Sequence, residues 1–155
     1  MVLNLAEIFR YFLQSDRTFV PLAQEMQIVR AYLEIEQLRL GDRLKVEFHM
    51  DEAALDVPVP VLSVQPLVEN AIKHGIAPQP EGGALQIELT RTPTGLLLRV
   101  ANGGRPLKAE YQSGTGLGNL KERLELLPAP RPVLRLETEG AWTVAQLELP
   151  WRWPA

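Results

Sequence analysis

Residues 63–75, SVQPLVENAIKHG, carry two patterns in one short stretch. Val64, Leu67, Val68, Ala71 and Ile72 recur at helical spacing and form one apolar stripe. Glu69, Asn70, Lys73 and His74 fall on the opposite side. The spacing predicts a helix from about Val64 to His74, with Ser63 as its N-cap and Gly75 ending it. Asn70 and His74 are four residues apart, as are Glu69 and Lys73, so each pair shares a face. That polar face has two readings. It is a solvated surface with one Glu69–Lys73 ion pair, or it is a face that meets a ligand.

The elements on either side of this helix set the fold class. Upstream, Pro21 suits the first turn of a long helix that Gly41 stops. Met26, Val29 and Leu33, then Ile28, Tyr32 and Ile35, make adjacent apolar stripes along it. Leu44, Val46 and Phe48 alternate with Lys45, Glu47 and His49, which predicts a half-buried strand. Residues 50–60 read as a loop and 15–20 as a connector. Residues 3–14 place Leu5, Ile8, Phe9 and Phe12 near helical spacing, a short N-terminal helix. Downstream, ALQIELTR (84–91) and LLLRVA (96–101) are strands joined by the TPTG turn (92–95). The loops ANGGRP (101–106) and QSGTGLG (112–118) lead to a third helix, LGNLKERLELL (117–127). Two more strands, 132–139 and 142–149, meet at Gly140 as a hairpin. Strand hairpins with helices between them predict an α+β two-layer sandwich. About five strands form a mixed, mostly antiparallel sheet, and about three helices cover one face.

Composition narrows the function. The chain has 155 residues, 46% of them hydrophobic and 23% charged, enough for one domain with a core. A net charge of -3 gives no reason to expect nucleic acid as a partner. No cysteine is present, so disulfides and thiolate metal sites are excluded. No apolar run approaches the roughly 20 residues that cross a bilayer.

The ligand reading of the polar face requires a phosphate cradle, and SGTGLGN (113–119) supplies the residue types for one. Gly114, Gly116 and Gly118 allow close backbone approach to an anion, and the helix that follows offers unpaired N–H groups. The stretch is not a P-loop, because no Gly-Lys-Ser/Thr follows. It is not a dinucleotide fingerprint either, because no parallel βαβ unit surrounds it. Asn102, Gly103 and Gly104 on their own read as a tight turn.

In this order, ENAIKHG (69–75), VANGG (100–104) and GTGLGNLKERL (114–124) resemble the N, G1 and G2 boxes of the histidine kinase/Hsp90-like ATPase superfamily, which has the Bergerat fold. VPLAQEMQIVRAYLEIEQLRLGDRL (20–44) and QPLVENAIKHGI (65–76) are similar to the LytS-like sensor histidine kinases. The resemblance spans nearly the whole chain. It implies ATP and Mg²⁺ as cofactors, with Asn70 as the metal ligand. It implies catalytic roles for Glu69, Asn70 and Lys73. Nucleotide contacts fall to Asn70, Lys73, His74, Asn102, Gly104, Gly114, Thr115, Gly116, Leu117, Gly118, Asn119 and Arg123, the last reaching phosphate or lid. It divides the chain into 1–19, the end of a dimerisation and phosphoacceptor region or linker, and 20–155, the catalytic domain.

Departures from the family pattern sharpen the chemistry. Asn102 stands where the G1 box usually has an Asp that accepts from the adenine amino group; an amide oxygen accepts the same bond with less charge assistance. Pro106 occupies the second G1 glycine position. Few residues separate Leu107 from Ser113, so any lid is short. Hydrolases of the superfamily place a general-base Glu four residues before the Asn, and here that residue is Pro66, which cannot act as a base. Transfer to a protein nucleophile therefore fits better than attack by water. The family's acceptor histidine lies in a segment resembling NPHFLFN. This chain has only two histidines, His49 and His74, and neither has that context.

The expectation is a catalytic domain that phosphorylates a histidine on a segment absent from this chain. Its partners would be its own dimerisation segment and a response regulator. The full-length protein would be a homodimer, held at an inner membrane only through a missing N-terminal part, with this domain on the cytoplasmic side. The alternatives are a stand-alone anti-sigma-factor-type serine kinase and a degenerate interaction module.

Overall fold

The computed structural model describes residues 19–103 and 116–153. The short helix expected over 3–14 lies outside them. Among the described residues, strand β1 (Phe19–Pro21) leads into helix α1 (Leu22–Leu40), and β2 (Leu44–Met50) follows a single helical turn. Strand β3 (Pro58–Pro60) precedes α2 (Gln65–Asn70), which continues as a wider turn, Ala71–Ile76. Then come β4 (Gly83–Arg91), β5 (Gly95–Gly103), α3 (Gly116–Glu125), β6 (Val133–Glu139) and β7 (Trp142–Pro150).

Five strands make one sheet in the order β2-β4-β5-β7-β6. Only β2 and β4 run parallel; the other three pairings are antiparallel. This is the expected mixed, mostly antiparallel sheet with three helices on one face. The alternation along the strands explains why it has one covered face. Leu85, Ile87 and Leu89 of β4, Leu96, Leu98 and Val100 of β5, and Ala145, Leu147 and Leu149 of β7 are all buried. They share a core with Leu22, Met26, Val29 and Leu33 of α1, Leu67 and Val68 of α2, and Leu117, Leu120 and Leu124 of α3. The other sheet face is ionic: Arg99 sits between Glu88 at 3.1 Å and Glu139 at 2.7 Å.

Local signals hold at most boundaries. Gly41 ends α1 with φ 59°, a left-handed conformation that suits glycine. The second stripe of α1 forms its own small cluster, where Ile28 and Ala31 are buried beside Tyr32 and Ile35.

Three expectations are corrected. Residues 15–20 and 50–60 are not wholly irregular, because β1 and β3 pair antiparallel, Phe19 opposite Pro60 and Pro21 opposite Pro58. Three-residue strands rich in proline carry no alternation to read. Trp153 closes over this ribbon, its ring 4.7 Å from that of Phe19 and its indole N–H donating to Pro58 O at 2.7 Å. The third correction is Ser63, which does not cap α2. Its hydroxyl donates backwards to Pro60 O and its backbone N–H donates to Glu25. The helix begins two residues after Ser63, at Gln65.

Candidate functional site

The apolar stripe of α2 is buried as expected: Val64, Leu67, Val68, Ala71 and Ile72 are each 3% exposed or less. The polar face is open. Glu69, Lys73 and His74 are exposed and Asn70 is half-buried. From Ala71 the helix widens into a π-helical turn, and Ala77 N donates to Ile72 O, five residues back, at 2.8 Å. Such turns are frequent at functional sites. No sequence signal announces it, and it alters the side-chain phase after Asn70.

The Glu69–Lys73 ion pair of the solvated-surface reading is not among the ion pairs of the described residues. Glu69 instead accepts from Gln65 Nε2 at 3.1 Å, one turn earlier. Among the described residues, the Asn70 carboxamide has no hydrogen-bond partner, and Lys73 and His74 have no ionic one. Three polar groups on one face therefore have no such partners there.

Asn102 joins this face from the sheet. It ends the buried side of β5 with 2% exposure, and its Nδ2 lies 3.5 Å from Gly103 O. A Cβ placed on Gly75 would stand 2.1 Å from Asn102 Nδ2. Only glycine lets the turn after α2 approach the Asn102 side chain so closely. The first two sequence motifs thus meet in space at Gly75 and Asn102.

The third motif is partly placed. Gly104, Gly114, Thr115, Pro106 and the stretch 107–113 lie outside the described residues. Gly116 opens α3, and Leu117 and Gly118 are buried in its first turn. Asn119 and Arg123 face α2 across a cavity of about 300 Å³ that Glu69, Gln65, Pro66 and Leu62 also line. Pro66 therefore stands at the site wall in the first turn of α2, where it offers no base.

Arg123 has a task the sequence did not suggest. Its guanidinium donates to Val61 O and Leu62 O, both at 2.7 Å, so it grips the turn before α2. Burial lowers its pKa, and the charge of Glu25 opposes that shift. In this arrangement both terminal nitrogens of the guanidinium are engaged by backbone carbonyls.

Several residues here escaped the sequence reading. Glu25 is buried on α1, where it sits among Leu22, Met26 and Val29; a carboxylate on an apolar stripe was the legible sign. Gln65 is buried, and among the described residues its Oε1 has no partner. Burial, then the charges of Glu36 and Glu69, raise the pKa of Tyr32 above its ordinary value.

Comparison with known proteins follows the same lines. Sensor protein LytS of Oceanobacillus iheyensis is 29% identical over 168 residues, covering 98% of this chain. Sensor histidine kinase BtsS of Escherichia coli K12 is 32% identical over 154 residues, again covering 98% of this chain. The chain is similar to the LytS-like sensor histidine kinases over nearly its whole length. It spans only 29% and 28% of the length of those two proteins. Residues 1–44 also match the family model described as histidine kinase. The fold is that of a histidine kinase catalytic domain. The solved catalytic domain of histidine kinase ThkA superposes with a TM-score of 0.65 at 17% identity, over 88% of this chain and 98% of that one. ThkA solved in complex with the response regulator TrrA gives a TM-score of 0.66 at 18% identity, over 96% of this chain and 47% of that one.

Proposed function

We propose that this LytS-like domain binds Mg-ATP between α2, the end of β5 and the start of α3. It then passes the γ-phosphoryl group to a histidine outside this chain, as the catalytic part of a two-component sensor kinase. Asn70 carries the reading. It is a half-buried carboxamide with no protein partner among the described residues, set where α2 widens and flanked by the exposed side chains of Lys73 and His74.

The donor set fits a magnesium ion that arrives with its nucleotide. Among the described residues no cluster of three His, Asp or Glu side chains could hold a metal. Asn70 would give one neutral oxygen, and phosphate and water would complete the shell. The bound ion would neutralise charge on the phosphate oxygens. Lys73 and His74 would add donors to the same oxygens. Asn102, close to Gly75, would accept from the adenine amino group, with Gly104 beside it. The backbone of Gly114, Thr115, Gly116, Leu117 and Gly118 would cradle phosphate, and Asn119 would reach it from α3. Glu69, oriented by Gln65, would polarise the incoming imidazole.

In the transfer, the acceptor nitrogen forms a bond to the γ-phosphorus as the bond to the β–γ bridging oxygen breaks and ADP leaves. The domain contributes position and charge neutralisation. Neither of its own histidines is the acceptor. His49 is exposed on the outer face of β2 beside Glu47, and His74 belongs to the phosphate face.

The proposed partners follow. Residues 1–19 end the dimerisation segment that presents the acceptor. A response regulator takes the phosphoryl group onward, by analogy with ThkA, which was solved bound to the response regulator TrrA. The domain would work on the cytoplasmic side of an inner-membrane sensor. Among the described residues no helix is long and apolar enough to cross a membrane.

The test is γ-labelled ATP with this domain and the acceptor segment of the full-length protein. The expected label is acid-labile and alkali-stable, as a phosphohistidine is. An acid-stable label on serine would replace this reading with the anti-sigma-factor-type kinase.

A further inference from the structure

The turn 61–64, just before α2, is strained and held from two sides. Leu62 has φ 60°, the one non-glycine residue with positive φ among the described residues. Such a conformation is unfavourable for a residue with a branched side chain and persists only where its surroundings over-determine it. Here the determinants are explicit. On the carbonyl side, Arg123 of α3 donates to Val61 O and Leu62 O. On the N–H side, Glu25 of α1 accepts from Ser63 N at 2.9 Å and from Val64 N at 3.4 Å. Ser63 Oγ closes the turn onto Pro60 O. Glu25 is 2% exposed, so a carboxylate has been taken out of water to receive these N–H groups.

We propose that Glu25 and Arg123 are positioning residues for the nucleotide site, holding the 61–64 turn in the strained form that sets where α2 starts and thus where Asn70 stands. The inference rests on the nucleotide reading of that site. Three helices meet at this turn. α1 supplies the carboxylate, α3 the guanidinium, and α2 begins where the turn ends. α2 has only six regular residues before its wide turn, so a displaced first turn carries Glu69 and Asn70 with it. The same guanidinium ties α3, which opens directly from the glycine-rich stretch, to the start of α2. The clamp thus fixes the two walls of the cavity between Glu69 and Asn119 relative to each other.

The clamp and a direct phosphate contact by Arg123 differ in what they predict. Two adjacent carbonyls need a forked donor, which Lys lacks. A clamp also makes Glu25 and Arg123 act as one unit, although they reach opposite sides of the turn. The experiment compares wild type with Glu25→Ala, Glu25→Gln, Arg123→Ala, Arg123→Lys and the Glu25→Ala/Arg123→Ala double variant. It reads amide hydrogen exchange over residues 63–70, and Mg²⁺-dependent affinity for ADP and for a non-hydrolysable ATP analogue.

The expected result is faster exchange confined to 63–70 in both alanine variants. Affinity for ADP and for the ATP analogue should fall equally, by about tenfold, the size of one or two lost hydrogen bonds. The double variant should be no worse than the weaker single. Arg123→Lys should behave like Arg123→Ala, and Glu25→Gln, which keeps an acceptor, should keep most of the affinity. Unchanged exchange, with loss confined to the triphosphate and to the Arg123 variants, overturns the clamp and makes Arg123 a phosphate ligand. If the alanine variants do not fold, Arg123→Lys against Glu25→Gln decides between the same two outcomes. A wild-type domain that binds neither nucleotide sinks the nucleotide reading. Exchange alone then judges the clamp: acceleration over 63–70 supports it and no change overturns it.

Discussion

Helices α1 and α2 lie on the same face of the sheet and treat their polar residues differently. In α1, Glu36 pairs with Arg39, Arg30 lies 4.0 Å from the Phe48 ring centroid, and Glu25 receives backbone N–H groups. These contacts stabilise the domain. In α2 and its wide turn, the apolar stripe is fully buried, while the Asn70 carboxamide has no hydrogen-bond partner, and Lys73 and His74 no ionic one, among the described residues. Residues whose polar groups are unanswered within a fold are candidates for answering something outside it. The proposed function draws on this contrast, and substitutions can sharpen or break it.

The largest effect on stability should come from the buried stripe. Ile72→Ala removes a fully buried side chain and should cost about 2–5 kcal/mol in denaturant unfolding. Gly75→Ala comes next. Its new Cβ meets Asn102 Nδ2, so Asn102 must shift, at about 1–3 kcal/mol. That variant should also weaken adenine nucleotide binding, because the displaced group is the proposed adenine acceptor. If it binds nucleotide normally, Asn102 has no such role.

Lys73→Met changes an exposed cation and should leave stability within about 0.5 kcal/mol of wild type. Its effect should appear in titrations, as a loss of several-fold that is larger for the triphosphate than for ADP. Equal losses for both would remove Lys73 from the phosphate face.

The smallest effect concerns Tyr32. Burial, then Glu36 and Glu69, raise its pKa in the folded state, above the value of about 10 that it has in the unfolded chain. The neutral hydroxyl is the favoured form. Its contribution to stability is therefore complete below about pH 10 and declines as pH rises beyond that towards the folded value. Tyr32→Phe should flatten this alkaline decline, as read from unfolding midpoints between about pH 9 and 12. An unaltered decline would mean that the folded state does not raise the Tyr32 pKa.

Much of this was legible in the sequence, for physical reasons that vary along the chain. β2 showed itself through alternation, the other four long strands through the turns that join them, α1 through helical stripes ended by Gly41, and α3 through the glycine-rich stretch that opens it. Order and residue type brought out the N-box face. What stayed hidden depends on tertiary contacts. The β1–β3 ribbon is too short and proline-rich to show a period. Gly75 lets the wide turn after Asn70 approach Asn102, a tertiary contact that no local propensity encodes. Ser63 looked like a cap, but buried Glu25 claims its backbone N–H. The resemblance points Arg123 to phosphate or lid, and says nothing of its grip on two carbonyls of a strained turn.

Whether the open polar face of α2 holds Mg-ATP turns on Asn70. Calorimetric titration of the wild type and Asn70→Ala with a non-hydrolysable ATP analogue, with Mg²⁺ and with a chelator, tests it most directly. Binding by the wild type should weaken when Mg²⁺ is removed. Asn70→Ala should lose about 10–100-fold in affinity, with its unfolding midpoint essentially unchanged. Equal, Mg²⁺-dependent affinity in the two proteins would contradict the role given to Asn70.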